Sequence, residues 1–212
     1  MNNRNRLAQM TSANPLKMLI CISAGACLCR CRLVEAVGLL FESMHLSLSG
    51  GINFDDLAFK KNGNDLQLFA GNGDALSFTN WYSDPTSHSF VNLQMIQEAS
   101  GTYNPNGSNR LRDNKIETFS FSVLVNSFDQ ARVANPRLNR WNLMNGALNA
   151  HLGGSNDAAL GGDLAYQYGM AGDLTSMGID AAQALLANAQ LNTSAQRLQS
   201  VASLGAGQQR LS

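Results

Sequence analysis

Between Leu46 and Glu98 apolar and polar residues alternate along short runs. Leu57 and Phe59 fall on one side, as do Leu66 and Leu68, and Leu76 and Phe78. That period of two marks strands with one buried face. Asn62-Gly63 and Asn72-Gly73 separate the runs, and Asn-Gly signals a hairpin because the tight turn needs positive φ. Gly50-Gly51 opens the stretch, Trp81 and Tyr82 cover its end, and Val91 to Ile96 reads as a further strand. The expected unit is a short antiparallel β-hairpin module over residues 46–98.

The period then changes. "SGTYNPNGSN" reads as a loop. Phe121, Leu124, Val125 and Phe128 lie on one helical face. Asn135-Pro136 has the form of an N-cap followed by proline at the first helical position. Leu138, Trp141, Met144, Leu148 and Leu152 form the next apolar stripe, which Gly153-Gly154 ends; core packing explains it better than a cofactor. Asp180 caps a helix through Leu186, and a last helix is expected from Thr193 to Leu204. The fold class expected is α+β: a β module at 46–98, then a helical C-terminal region at 99–212, with residues 1–45 outside the fold.

Asp56, Asp65 and Asp74 stand nine residues apart, each opening an apolar run. A plain meander explains this spacing, and so does a worn copy of the nonapeptide G-G-x-G-x-D-x-U-x that builds calcium-binding β-rolls. Gly63 sits two before Asp65 and Leu76 two after Asp74, as that repeat requires, but Gln67 holds an apolar position and the paired glycines are missing. Calcium takes six or more oxygens at short range, and one or two worn repeats cannot close that shell. The hairpin reading is therefore preferred, as a degenerate β-roll. Asp56, Asp65 and Asp74 are the calcium candidates, with weak affinity (about 10⁻⁴ to 10⁻³ M) and folding that does not wait for the ion. Gly161-Gly162-Asp163 is a fainter match, better read as a glycine-rich loop between helices.

The formal net charge is +0 and charged residues make up 14%, so nothing forms the basic patch that nucleic acid requires. Apolar residues reach 44%, which excludes a disordered acidic chain. Arg4, Arg6 and Lys17 precede an apolar stretch from Met18 to Leu28, with Ala24-Gly25-Ala26 resembling a cleavage site. That outline fits a secretory signal or an upstream remnant. It is too short, and too soon followed by Arg30 and Arg32, for a transmembrane segment. Cys21, Cys27, Cys29 and Cys31 are the only cysteines, so the expected fold has no disulfide framework. Their spacing lacks the paired Cys-x2-Cys knuckles of structural zinc.

Catalytic motifs do not assemble. His45, His88 and His151 lie far apart, none in His-Glu-x-x-His, and no Gly-x-Ser-x-Gly elbow, phosphate loop or EF-hand loop occurs. His151 reads as a cap or surface residue. The expected protein is not an enzyme.

"GGINFDDLAFKKNGNDLQLFAGNGDALSFTNWY", through "NLQMI" and on to the C-terminal tail, resembles the haemolysin-type calcium-binding protein related domain of RTX-like secreted bacterial proteins. The likeness spans about residues 46 to 212 and is strongest at Gly-Asn-Asp-Leu and Trp-Tyr. Relatives usually carry tandem nonapeptides upstream, where this chain has its cysteine-bearing segment. The resemblance implies a non-enzymatic C-terminal module, structural Ca2+, an extracellular location, and export by type I secretion machinery that reads the tail "LQSVASLGAGQQRLS". Two other readings stay open: an adhesion or interaction module with Trp81 and Tyr82 exposed, and a fragment of a longer hydrolase whose catalytic domain lies elsewhere.

Overall fold

The computed structural model describes residues 9–11, 18–23, 43–48, 51–71, 73–88, 90–160, 162–171 and 195–197. Among the described residues the strands are β1 (Gln9–Thr11), β2 (Met18–Ser23), β3 (Ser43–Leu48), β4 (Leu57–Asn62), β5 (Asp65–Ala70), β6 (Ala75–Phe78), β7 (Phe90–Ile96), β8 (Ile116–Ser120), β9 (Trp141–Asn142), β10 (His151–Ser155), β11 (Ala158–Leu160) and β12 (Ala195–Arg197). The helices are α1 (Phe121–Ala134), α2 (Ala147–Ala150) and α3 (Gly162–Ala171).

The first sheet has the order β1-β6-β5-β4-β9 and is antiparallel throughout. Its centre is the expected meander. Phe59 stands opposite Leu68 and Leu68 opposite Leu76, so the alternating apolar residues share one face. The β4–β5 turn is centred on Gly63 and Asn64, one residue later than Asn62-Gly63 suggests. Gly63 takes φ +60 at the first central position, the type II′ arrangement that matches strand twist. Asn72 of the second Asn-Gly pair lies outside the described residues; Gly71 and Gly73 on either side of it take φ +80 and +85.

The second sheet runs β10-β8-β7-β3-β2, with β3 and β7 parallel and the other neighbours antiparallel. Leu46, Leu48, Leu93, Met95 and Phe119 point from its front face into the core. There they join Leu57, Phe59, Leu66, Leu68, Leu76 and Phe78 of the first sheet, and Phe121, Leu124, Val125 and Phe128 of α1. Ser120 caps α1 by accepting the Val123 N–H, so the chain passes from β8 straight into the helix.

The back face of the second sheet carries Gln94. Its side chain behaves like a piece of strand: Oε1 accepts the Leu160 N–H (2.6 Å), while Nε2 donates to the Leu160 carbonyl (3.1 Å) and to Ser47 Oγ (3.0 Å). A buried polar group is tolerated only when so satisfied. This amide docks β11 on the sheet beside the small cluster of Ile96, Ile116 and Ala159.

Three sequence expectations are corrected. The β-roll is replaced by two sheets that neither close nor curl. The reason is local: short turns return the chain antiparallel, whereas parallel neighbours need long crossovers. The helical C-terminal region is also wrong, because β8, β9 and β10 complete the two sheets and α1 is followed by strand and short helical turns. The long helix expected after Pro136 does not form. Trp141 instead pairs with Phe59 at the sheet edge, and Leu148 and Leu152 are 66% and 61% exposed. The apolar spacing mimicked a helix, but it serves a strand, a turn and a strand. The helix expected from Asp180 lies outside the described residues, as do the tail and Cys27, Cys29 and Cys31. Of the helix expected over 193–204, residues 195–197 are a strand. Among the described residues no helix is long and apolar enough to cross a membrane.

Replacing Gln94 by leucine leaves the Leu160 amide without its partner. The expected loss is about 1–3 kcal/mol of unfolding free energy, read by denaturant titration, with the exchange protection of residues 158–160 falling first.

Candidate functional site

The nine-residue aspartate series follows the meander out and back. Asp65 begins β5 at one end of the sheet. Asp74 follows the far end, about 17 Å away at the rise of a strand. Asp56 sits at that far end too, with its Cβ 3.2 Å from where a Cβ on Gly71 would stand. Asp56 accepts from Asn53 Nδ2 at 3.3 Å, and Asp74 closes its own turn through backbone bonds to Ala70 and Gly71. Among the described residues no three His, Cys, Asp or Glu side chains are placed to hold a metal ion. The calcium expectation is corrected accordingly: an antiparallel path sends successive turns to opposite ends of the sheet and denies them a common shell.

Asp65 has a different task. Its Oδ1 accepts the Asn80 N–H at 2.8 Å. Asn80 sits at φ +59, a left-handed conformation tolerated better by asparagine than by most residues. The neighbouring Asn64 carbonyl accepts the Tyr82 N–H at 2.9 Å. Together these bonds pin the loop after β6 to the β4–β5 hairpin and set the positions of Trp81 and Tyr82.

The aromatic pair is not an exposed cluster. Trp81 is 5% exposed, edge-on to Phe78 and Phe121. Tyr82 is half-buried, and its hydroxyl donates to Asp129 Oδ1 at 3.1 Å. Burial, then the Asp129 carboxylate, pushes the Tyr82 hydroxyl well above its ordinary value, so it remains a donor. Lys61 Nζ lies 4.2 Å from the Tyr82 ring centroid, and Arg132 ion-pairs with Asp129 at 3.2 Å.

Between this loop and α1 lies a cleft of about 360 Å³. The loop side presents Tyr82, Asp84 and His88 around the Trp81 floor; the helix side presents Asn126 and Asp129. Positions 122, 126 and 129 share a helix face, which is why one wall is polar while Leu124 and Phe128 face the core. His88 is stacked on Trp81 with centroids 4.3 Å apart, and its Nε2 lies 2.6 Å from the Trp81 carbonyl. A carbonyl only accepts, so Nε2 carries hydrogen and Nδ1 is the free nitrogen. Asp84 caps the short 3₁₀ turn Pro85–Ser87, accepting from the Thr86 amide (3.0 Å) and hydroxyl (2.7 Å). Those bonds hold its carboxyl below the usual carboxylate range.

A second polar cluster lies in the core. Glu117 is fully buried and meets His151 Nε2 at 2.7 Å. Its other oxygen accepts from the Asn114 amide (3.0 Å) and side chain (3.2 Å). Burial pushes the Glu117 carboxyl up, and the bonds from His151 and Asn114 pull against it. His151 stands at the C-cap position of α2, as the sequence suggested, but its side chain turns inward to Glu117 rather than to the surface. His45 is separate, its Nδ1 accepting from Asn92 Nδ2 at 3.1 Å, and burial holds its proton affinity down.

No family model, curated protein or solved structure matches the chain. The haemolysin-type resemblance rests on its quoted residues alone. Sequence reasoning flagged Trp81 and Tyr82 but missed Asp129, Asn126 and His88 as their neighbours. The available signal was the polar face of α1, opposite its apolar stripe.

Asp65→Ala is expected to cost about 1–2 kcal/mol and to shift Trp81 fluorescence as the loop loosens. Asp65→Asn keeps an acceptor and should stay close to wild type in both the melting curve and the emission spectrum.

Proposed function

We propose that the chain is a non-enzymatic recognition module that takes a polar ligand, or polar side chains of a partner segment, in the cleft between residues 81–88 and α1. The supporting observation is the prepared character of that cleft. Trp81 is fixed by core rings, the free nitrogen of His88 is defined by the Trp81 carbonyl, and Asp129 is oriented by both Tyr82 and Arg132. Recognition sites combine a rigid floor with a few oriented polar groups, and little ordering cost remains to be met on binding. This reading replaces stacking on exposed aromatic rings with hydrogen bonding above buried ones. Catalysis has less support: Ser83 and Ser122, the serine hydroxyls lining the cleft, bond to the Asn80 carbonyl and to Ser120 rather than to a base.

The test is a saturation-transfer NMR screen of the full chain against a mixed panel of sugars, amino-acid amides and short polar peptides. Hits should perturb Trp81 and His88 resonances. Asn126 is exposed on α1, so Asn126→Trp should fill the cleft and abolish those hits with little change in melting temperature. Hits that survive Asn126→Trp, or that perturb only residues remote from the cleft, would remove this site from the account.

A further inference from the structure

We infer that the cleft between residues 81–88 and α1 takes a guanidinium group carried on a short alkyl chain. The inference rests on the reading of that cleft as a recognition site and names the chemistry of its ligand. It follows from which hydrogen-bonding groups the fold has already used and which it has left over.

The donors are largely spent inside the protein. The Tyr82 hydroxyl donates to Asp129, the Ser83 hydroxyl to the Asn80 carbonyl, and the Ser122 hydroxyl shares a bond with Ser120. His88 Nε2 is turned to the Trp81 carbonyl. The acceptors are only half used. Asp84 is held through Oδ1, which takes both the amide and the hydroxyl of Thr86. Asp129 is also held through Oδ1, which takes both the Tyr82 hydroxyl and Arg132 Nη1. Among the described residues no bond reaches Oδ2 of either carboxylate. Each aspartate is thus fixed by one oxygen and keeps the other, and the free Nδ1 of His88 adds a third acceptor. Asn126 carries an amide that accepts and donates equally and does not change the balance.

Charge points the same way. Asp84 and Asp129 stand on the two walls, and among the described residues neither lysine nor arginine lines the cleft. Lys61 and Arg132 lie outside it, against the Tyr82 ring. The Thr86 bonds hold the Asp84 carboxyl below the usual carboxylate range, so it stays charged. An anion would face two carboxylates. A neutral hydroxyl ligand would meet the acceptors and leave their charge uncompensated. A guanidinium has five N–H donors and no acceptor, and it is more weakly hydrated than an ammonium. Its plane also suits the floor. Exposed His88 lies on Trp81 with 28° between the rings, and a planar cation extends such a stack where a compact ammonium does not. Pro85 and Val125 give the alkyl stem an apolar wall.

The test is NMR titration of the full chain with N-acetyl-arginine amide and N-acetyl-citrulline amide, read at Trp81 and His88. Citrulline keeps the length and the plane but is neutral and puts a urea oxygen in place of a donor. The arginine probe should saturate and shift both residues. The citrulline probe should bind about tenfold more weakly or worse, the scale of one lost charge-assisted bond, with the lysine amide between them. Asp84→Asn and Asp129→Asn keep an oxygen for Thr86 and for Tyr82, so the loop stays in place. Each should weaken arginine by about tenfold and leave citrulline nearly unchanged, a selective loss that general loosening of the cleft would not give. Agmatine and a blocked Ala-Arg-Ala peptide separate the two sources of the cation: tighter binding of the peptide assigns it to a partner segment, equal or tighter binding of agmatine to a small molecule. Equal binding of arginine and citrulline, both blocked by Asn126→Trp, would overturn the guanidinium assignment and leave the cleft standing as a site for neutral ligands. Lysine binding as tight as arginine would overturn the planar cation. No response to the arginine probe would overturn the inference whatever the neutral ligands do, and arginine binding that survives Asn126→Trp would remove the cleft itself.

Discussion

The burial of Phe121 is the contact on which the other parts depend. It is the first residue of α1, directly after β8, and it is fully buried. Its ring meets Phe59 and Phe78 of the meander at 5.6 and 5.0 Å, Trp81 of the following loop at 5.6 Å, and Phe90 of β7 at 5.9 Å. One side chain thereby joins both sheets, the helix and the loop. A buried phenylalanine contributes about 1.5–3 kcal/mol through the area it removes from water, and its aromatic pairs add to that through edge-on geometry. The meander cannot cover its own apolar face; α1 and the second sheet do so, with Phe121 at the junction.

The candidate cleft is a consequence of the same junction. Trp81 is held from beneath by Phe78 and Phe121, and Asp65 and the Asn64 carbonyl hold the loop from the hairpin side. Because α1 must turn Phe121, Leu124, Val125 and Phe128 inward, it presents Asn126 and half-buried Asp129 toward the loop. Polar groups in the cleft are thus positioned by core packing, and their bonds to Tyr82, Arg132 and the Trp81 carbonyl fix the remaining freedom.

The meander was legible because period-two alternation and glycine turns act over a few residues, and α1 because its four apolar positions repeat at helical spacing. What the alternation does not encode is what lies beyond each turn. Asp56, Asp65 and Asp74 share a sequence phase, yet an antiparallel return separates Asp65 from Asp74 by the length of β5. The stripe from Leu138 to Leu152 misled for a related reason: Trp141 and Leu143 are apolar because they close the first sheet and core, while Leu148 and Leu152 face outward. The Glu117–His151 pair joins residues 34 apart in sequence and has no local signature. The paired glycines at 153 and 154 were visible, but their role became clear only with Asn114 crossing over one of them.

The central claim is that the meander and the segments after it share one core through Phe121, rather than forming a self-sufficient β module. Amide exchange in Phe121→Ala tests this most directly. A truncation of this kind costs about 3–5 kcal/mol in a packed core. The account predicts that β4, β5 and β6 lose protection together with β7, β8 and α1. Protection retained in the meander while α1 alone opens would contradict it.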